Sequence, residues 1–229
     1  MIRKNTLSLV TTLTLLLAAS GSVWGTDLYW SGTGTWDDGI TTNWGVAPGG
    51  PYNVSAWVGG ANAIFEGTAG TVSVSGTIAS VGSITFTTDG YTLQTGSLTL
   101  TGAGGNITTG AGANTISTVI GGTAVTKLGS GTLTLGGANT FTTGLTIKAG
   151  TVIASTSVFA LGAGGVTLGD SAGGNNAAAL LIGATGLTYG NPLMLAANTT
   201  GLLTLGNTRH RHLDHLQRRS DGRQQPHHQ

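Results

Sequence analysis

Few side chains in the body of this 229-residue sequence could take part in catalysis. Between residues 26 and 207 there is neither histidine nor cysteine, and general acid–base or nucleophilic catalysis needs reactive groups in close pairs. The charged residues of this stretch are two lysines and six acids: Lys127, Lys148, Asp27, Asp37, Asp38, Glu66, Asp89 and Asp170. The adjacent pair Asp37–Asp38 precedes a glycine and is typical of a turn. A polysaccharide-degrading enzyme is therefore the least favoured interpretation, and we predict no catalytic residue and no cofactor.

Aromatic residues that could bind sugar are concentrated near the N-terminus. Four tryptophans lie within one short block: Trp30, Trp36, Trp44 and Trp57. Their flat apolar rings, each with a polar edge, suit stacking on sugars. The same rings could instead close the end of a repetitive β-structure, which otherwise exposes apolar core and unpaired strand edges. We favour a cap formed by residues 26–69, with a carbohydrate-binding module that uses these tryptophans as the alternative.

The segment 208–229 differs in composition from the rest of the chain, because it holds five arginines and all five histidines. Three interpretations are open: a weak metal site at His210, His212, Asp214 and His215, a basic arm for nucleic acid or an anionic surface, and translation of a shifted reading frame. A flexible tail offers a metal no fixed geometry, so we predict no metal site and no nucleic-acid partner. We favour the third interpretation, a shifted reading frame or an early stop in a longer repetitive gene, and we expect the segment to be disordered in either case.

The overall composition excludes several classes of protein. Glycine supplies 41 residues, charged residues make up 7%, and cysteine is absent. An ordinary soluble protein has roughly 25% charged residues. A disulfide scaffold needs cysteines, and charge-driven disorder needs many charges. With two lysines and six acids, the stretch 26–207 has a net charge of 2 − 6 = −4, which does not suit nucleic-acid binding.

The first residues have the layout of a secretory signal peptide. Arg3 and Lys4 precede an apolar run from Leu7 to Ala19, and small residues follow. This run is shorter than the roughly 20 residues needed to span a bilayer, which argues against a membrane anchor. We predict a signal peptide of residues 1–25, with cleavage after Ser20 as the alternative. No later stretch is long and apolar enough to span, so no transmembrane segment is predicted in the mature chain.

Short segments of the form apolar, Ser or Thr, apolar recur along the rest of the chain. They begin at Val72, Ile84, Leu98, Leu133, Leu145, Val166 and Leu203. A period of two buries one face of a strand and leaves the other in solvent. Four of these segments, at 98, 133, 166 and 203, follow one another at steps of 35, 33 and 37 residues, and self-similarity of this kind indicates a repeat architecture.

We therefore predict an all-β fold, a right-handed parallel β-helix over residues 70–207, with an aromatic N-terminal cap. With about 24 residues per coil, this stretch makes roughly six coils stacked at about 4.8 Å. Asn139 and similar residues could stack as polar ladders. The alternative is an antiparallel β-sandwich, since strands every 8 to 12 residues are also its signature and Asp89–Gly90 could form a hairpin turn.

The stretch 127–153, KLGSGTLTLGGANTFTTGLTIKAGTVI, closely resembles the autotransporter-associated β-strand repeat. It departs from the repeat at Thr143 and Leu145. The block with Trp-Ser-Gly at 30–32 and Trp-Asp-Asp at 36–38 is similar to the start of long exported proteins that carry such repeats. The resemblance implies a parallel β-helix passenger on or outside the cell surface, and it brings no catalytic residues with it.

Together these observations predict an exported structural or adhesive protein segment, secreted or held at a bacterial cell surface. The expected order is a signal peptide (1–25), an aromatic cap (26–69), β-solenoid repeats (70–207) and a tail (208–229). A threonine- and asparagine-rich face would be its contact surface. The expected partners are an extracellular polysaccharide or a cell surface, and other copies of the chain through exposed solenoid ends.

Overall fold

The computed structural model describes residues 25–208, so the predicted signal peptide and tail lie outside the described residues apart from Gly25 and Thr208. Between residues 25 and 208 there are nineteen strands, and no helix that could cross a bilayer is found there. The strands are β1 (Asp27–Trp30), β2 (Gly34–Trp36), β3 (Asn62–Phe65), β4 (Thr71–Val74), β5 (Thr77–Val81), β6 (Ser83–Phe86), β7 (Thr92–Gln94), β8 (Ser97–Leu100), β9 (Asn106–Thr109), β10 (Ala113–Ile116), β11 (Val119–Gly122), β12 (Ala124–Leu128), β13 (Thr132–Leu135), β14 (Gly144–Ile147), β15 (Gly150–Ala154), β16 (Gly165–Leu168), β17 (Ala178–Ile182), β18 (Leu193–Leu195) and β19 (Leu203–Asn207).

These strands stack into two long sheets and one short sheet. Sheet A has the order β1-β3-β6-β9-β12-β14-β16-β18, sheet B the order β2-β4-β7-β10-β13-β15-β17-β19, and sheet C the order β5-β8-β11. Every pairing between these strands is parallel. Successive strands of the chain lie in different sheets, so each circuit of the chain adds one rung to sheet A and one to sheet B, and three of the circuits also add one to sheet C. The predicted parallel β-solenoid is confirmed.

The antiparallel sandwich is wrong for the same reason. The residues Asp89–Gly90 lie between β6 and β7, and these strands belong to sheets A and B. The turn therefore leads the chain from one face of the solenoid to another, where a hairpin would have paired the two strands with each other.

One coil is shorter than the sequence repeat suggested. Thr126 is in register with Asn106 on one side and with Thr146 on the other, an offset of 20 residues each. The 33- to 37-residue steps in the sequence connect segments on different faces of the solenoid. Leu98 lies in sheet C, Leu133 in sheet B and Val166 in sheet A. Because the same apolar–threonine–apolar motif occurs on every face, sequence similarity alone does not measure a coil.

Inward-facing side chains of successive coils stack into apolar ladders. One ladder of sheet A runs Ile84, Ile107, Lys127, Ile147 and Leu168, and all five are buried. Each buried aliphatic side chain contributes on the order of 1.5–3 kcal/mol relative to an exposed one. Because each rung contacts only its neighbours, stability accumulates coil by coil.

Candidate functional site

The four tryptophans form one buried cluster at the N-terminal end of the column. Trp30 and Trp36 come from β1 and β2, and Trp44 and Trp57 reach the same space from the loop between β2 and β3. Centroids of neighbouring indole rings lie 4.7 to 5.1 Å apart, in edge-on or tilted arrangements. None of the four is more than 4% exposed. Phe65 of the next coil adds a fifth ring to the cluster.

This packing leaves no indole face open to solvent. A sugar stacks on the exposed face of an aromatic ring, so the predicted sugar-stacking role of Trp30, Trp36, Trp44 and Trp57 does not fit the structure. The cluster instead fills the first coil of the column with aromatic surface.

The same loop also covers the outer edge of sheet A. The backbone of Tyr29 in β1 exchanges two hydrogen bonds with Gly45, with N···O distances of 2.9 and 2.7 Å, and this bridge is antiparallel. Trp44 in turn exchanges two 2.9 Å hydrogen bonds with Ser55. An edge strand is a template for pairing with another chain unless it is covered. Residues 43–55 therefore cover the outer edge of β1 at this end of the solenoid.

The adjacent acids near this loop organise a turn. One carboxylate oxygen of Asp37 accepts hydrogen bonds from the backbone N–H groups of Ile40 and Thr41, both at 2.9 Å, and the other accepts one from the Thr41 hydroxyl at 2.8 Å. Burial raises the pKa of Asp37, but these hydrogen bonds outweigh it and hold the pKa below the usual 3.8. Both carboxylate oxygens of Asp37 therefore accept hydrogen bonds from the loop between β2 and β3.

Glu66, Asp89 and Asp170 also hold loops, whereas Asp27 accepts a hydrogen bond from the side-chain nitrogen of Asn62 in β3 at 2.9 Å. Glu66 accepts hydrogen bonds from the Gly49 N–H at 2.7 Å and the Tyr52 hydroxyl at 3.0 Å. Asp89 accepts one from the N–H of a loop glycine in the next coil, and Asp170 forms an ion pair with Lys148 at 3.2 Å. Among residues 25–208 no three His, Cys, Asp or Glu side chains come together as a metal site.

Polar side chains inside the column were not anticipated as a group from the sequence. Tyr91 lies in the core, with its hydroxyl 2.6 Å from the carbonyl oxygen of Glu66 and 2.7 Å from that of Thr68. The hydroxyl also accepts a hydrogen bond from the N–H of Gly32, at 3.2 Å. Burial raises the pKa of Tyr91, so the phenol stays protonated and can donate. Tyr91, in the third coil, thereby connects turns of the first and second coils.

Replacing Tyr91 by phenylalanine is expected to destabilise the protein by about 1–2 kcal/mol, because a buried carbonyl then loses its donor. The matched control is Tyr52→Phe, whose hydroxyl bonds a partly exposed carboxylate; it should cost less than about 0.5 kcal/mol. Urea unfolding followed by circular dichroism measures both. Equal losses in the two variants would contradict a special role for the Tyr91 hydroxyl.

Lys127 performs a comparable task further along the column. The side chain is fully buried between Ile107 and Ile147 of the neighbouring coils. Its ammonium donates hydrogen bonds to the carbonyl oxygens of Leu128 and Gly129, both at 2.8 Å, and of Ala149 at 3.2 Å. No carboxylate hydrogen-bonds to it within the described part of the chain.

The backbone at this turn is suited to that role. Gly129 has φ of +76°, a left-handed conformation that favours glycine, and a Cβ there would collide with the carbonyl oxygen of Thr109. Burial lowers the pKa of Lys127 from 10.5 to about 8. The ammonium therefore caps inward-pointing carbonyls at the cost of its own desolvation.

Asn139 connects three coils in the same manner. Its side-chain oxygen accepts a hydrogen bond from the N–H of Ile120 at 2.8 Å, and its nitrogen donates one to the carbonyl oxygen of Ala160 at 2.7 Å. A ladder would hydrogen-bond Asn139 to asparagine side chains of the neighbouring coils, but both hydrogen-bond partners of its side chain are backbone groups. The expected asparagine ladder is therefore absent at this position within residues 25–208. Lys127 and Asn139 thus cap turns from inside the column.

The outer faces carry ladders of threonine. Thr71, Thr92, Thr115 and Thr134 are in register on four successive strands of sheet B. The rungs of a β-structure are about 4.8 Å apart, and none of these four hydroxyls donates or accepts a hydrogen bond within residues 25–208. The strands of sheet B contain no charged residue. This ladder is therefore a regularly spaced, uncharged array of hydroxyl and methyl groups.

Sheet A carries a second ladder of the same type. Thr126, Thr146 and Thr167 are in register on β12, β14 and β16. Charged side chains lie beside this ladder, because Lys148 and Asp170 follow the same strands and pair with each other. The two faces therefore offer similar hydroxyl spacing in different electrostatic surroundings.

Comparison with known proteins gives one informative similarity. An alignment of 123 positions, which covers 47% of this chain, is 41% identical to the Adhesin BmaC autotransporter of Brucella suis biovar 1 (strain 1330). The chain fits an autotransporter passenger-type protein. The resemblance predicted from residues 127–153 is thereby confirmed. No protein-family profile and no solved structure matches the chain.

The similarity covers only a small part of the relative. The chain spans 3% of the length of that adhesin. The passenger-type assignment therefore concerns a β-solenoid segment, and the adhesin's name describes the whole relative.

Proposed function

We propose that this chain is an exported adhesive or structural passenger segment that acts without catalysis. The single observation that supports this most is the combination of a threonine-faced β-solenoid with similarity to an autotransporter adhesin. The acidic side chains that make hydrogen bonds or ion pairs in the described residues do so with loop groups, with a neighbouring lysine or, for Asp27, with the side chain of Asn62 in β3. The geometry that repeats from rung to rung instead provides an extended contact surface.

The contact surface that we propose is the threonine ladder of sheet B. Its hydroxyls are spaced at about 4.8 Å and lack partners among residues 25–208, so they are available to a ligand with repeated hydroxyl groups. Because the strands of this sheet carry no charge, a neutral extracellular polysaccharide is the best match, and a polyanion gains nothing here.

The surface can be tested with shape-conserving substitutions. The triple variant Thr92→Val, Thr115→Val and Thr134→Val removes three hydroxyls while keeping the branched side chains. Each lost hydrogen bond contributes about 0.5–1.5 kcal/mol, so binding to immobilised neutral polysaccharides should weaken at least about tenfold. The matched control is Thr126→Val, Thr146→Val and Thr167→Val on sheet A, which should bind as the parent chain does.

The possible results separate the parts of the proposal. Equal binding by both triple variants would contradict the sheet B surface, and no binding by the parent chain to polysaccharides or whole cells would contradict the adhesive role. Export is tested separately: N-terminal sequencing of the chain recovered outside the cytoplasm should begin at Thr26. A mature chain that retains residues 1–25 would contradict the signal peptide.

A further inference from the structure

The turn between β15 and β16 carries an aromatic ring on the outside of the column. Phe159 is 58% exposed, and its neighbour Val158 is 42% exposed. Every other Trp, Tyr or Phe side chain among residues 25–208 is buried or only partly exposed. The open aromatic face that the four tryptophans lack is therefore present at Phe159.

This turn is held from the coils on both sides by side-chain amides. From one side, the Asn139 nitrogen donates a hydrogen bond to the carbonyl oxygen of Ala160 at 2.7 Å. From the other side, the Asn191 nitrogen donates to the carbonyl oxygens of Gly162 at 3.0 Å and Gly164 at 2.6 Å. The backbone that carries Phe159 is thus fixed before any ligand arrives, which lowers the entropy cost of binding.

A cavity of about 400 Å³ lies between this turn and the next connection of the same kind, residues 183–192. Val158 and Phe159 line one wall, and Thr188, Gly190 and Asn191 line the other. Small-molecule sites have volumes of about 300–1,000 Å³, so this cavity has room for a sugar ring. Both walls are connections inside the described column, because the strands β16 to β19 follow the first of them.

The surroundings of the cavity are uncharged. The stretches 149–169 and 171–207 contain no Asp, Glu, Lys or Arg, and the flanking Lys148 and Asp170 pair with each other. The side chains at the cavity offer an aromatic face, the hydroxyl of Thr188 and the amide of Asn191. A charged head group or peptide would find no partner for its charge here, whereas a neutral sugar has apolar ring faces and hydroxyl edges that match these groups.

We propose that Phe159 and this cavity form a subsite that binds one sugar ring of a neutral polysaccharide, an inference that rests on the proposed function. The sugar ring stacks on Phe159, and its hydroxyls face the Thr188 side of the cavity. The turn directly follows β15, which pairs with β13 and places Ile153 in register with Thr134 of the threonine ladder. The subsite therefore lies at the margin of sheet B, where one polysaccharide chain can contact both surfaces.

The subsite can be tested by measuring binding of the full chain to immobilised cellulose, starch, mannan and galactan. The variant Phe159→Ala removes the stacking surface and should weaken binding about tenfold. Because the side chain is mostly exposed, the fold should persist, and circular dichroism checks this. The matched control is Ile40→Ala, which shortens an exposed apolar side chain far along the column and should bind as the parent chain does.

Two further variants separate sugar stacking from general apolar contact. Phe159→Trp keeps a flat ring and should bind at least as tightly as the parent chain. Phe159→Leu keeps an apolar side chain without a ring face and should bind as weakly as Phe159→Ala. An apolar partner such as a lipid or a protein would instead tolerate leucine.

A second measurement locates the ligand. A soluble hexasaccharide of the polysaccharide that binds best is added to isotope-labelled full chain, and the backbone amide signals are followed by nuclear magnetic resonance. Shifts are expected at residues 158–163 and 188–191, and they should disappear in Phe159→Ala.

The outcomes distinguish the subsite from the function on which it rests. Parent-level binding by Phe159→Ala, together with weakened binding by the triple threonine variant of sheet B, would overturn the subsite and leave the adhesive function standing. Absence of binding by the parent chain to all four polysaccharides would overturn both. Full binding by Phe159→Leu, or flotation with phosphatidylcholine vesicles that requires Phe159, would show an apolar occupant and also overturn the subsite.

Discussion

Replacing Trp36 by alanine is expected to cost about 3–5 kcal/mol, the usual loss when a fully buried large aromatic side chain is removed. The indole is 0% exposed and lies 4.7 Å from Trp57, 5.1 Å from Trp44 and 6.0 Å from Phe65, measured between ring centroids. Its deletion would leave a cavity where β2 and the covering loop meet. Because that loop protects the edge of β1, aggregation should increase together with the loss of stability.

Urea unfolding followed by circular dichroism measures the loss, and hydrogen exchange shows whether it is greatest in β1–β4. The control is Ile40→Ala, in the same loop but with a side chain 81% exposed, which should change stability by less than about 0.5 kcal/mol. A loss below about 1 kcal/mol for Trp36→Ala would show that the cluster does not carry the stability of this end.

The second large effect is expected at Lys127. Replacing it by methionine keeps the length of the side chain and removes the donor of three carbonyl groups, so at pH 7 we expect a loss of about 1–3 kcal/mol. The control is Lys148→Met, which breaks only the partly exposed pair with Asp170 and should cost about 0–1 kcal/mol.

The pH dependence of this difference has a definite sign. Burial lowers the pKa of Lys127 from 10.5 to about 8, so above pH 8 the unfolded chain keeps a proton that the folded chain has lost. The free energy of unfolding of the parent protein therefore rises with pH in this range, by about 1.4 kcal/mol per pH unit. The gap between the parent and Lys127→Met should widen by about 2 kcal/mol from pH 7 to 9.5. A gap that narrows would mean that the three carbonyls raise the pKa.

The fold class was predictable because its cause is local. The segment 132–135, Thr-Leu-Thr-Leu, buries both leucines and turns both threonines outward, as its period of two requires. Glycine-rich connections and the lack of helical spacing then leave few arrangements other than stacked strands. The length of a coil was predicted only approximately, at about 24 residues against the 20 that separate Asn106, Thr126 and Thr146, because each coil repeats one motif on two or three faces.

The site was harder to predict, because it depends on contacts between distant residues. The four tryptophans are compatible with either sugar stacking or a cap. The contact that places their loop is the antiparallel bridge between Tyr29 and Gly45, which joins residues too far apart to be paired from the sequence. A lysine is expected at the surface, yet Lys127 is in phase with the buried Val125 on β12. This alternation along β12 was the sequence signal for the burial of Lys127. Its hydrogen-bond acceptors lie in turns whose positions the sequence alone does not give.

The regular register in the middle of the column has a genetic consequence. From Asn106 to Thr126 to Thr146 the chain advances by the same 20 residues, and each coil contacts only the coils next to it. Recombination that duplicates or deletes 20 codons here would change the reach of the column by about 4.8 Å and leave the chemistry of its faces as it was. The number of such 20-residue units can thus set the length of the column.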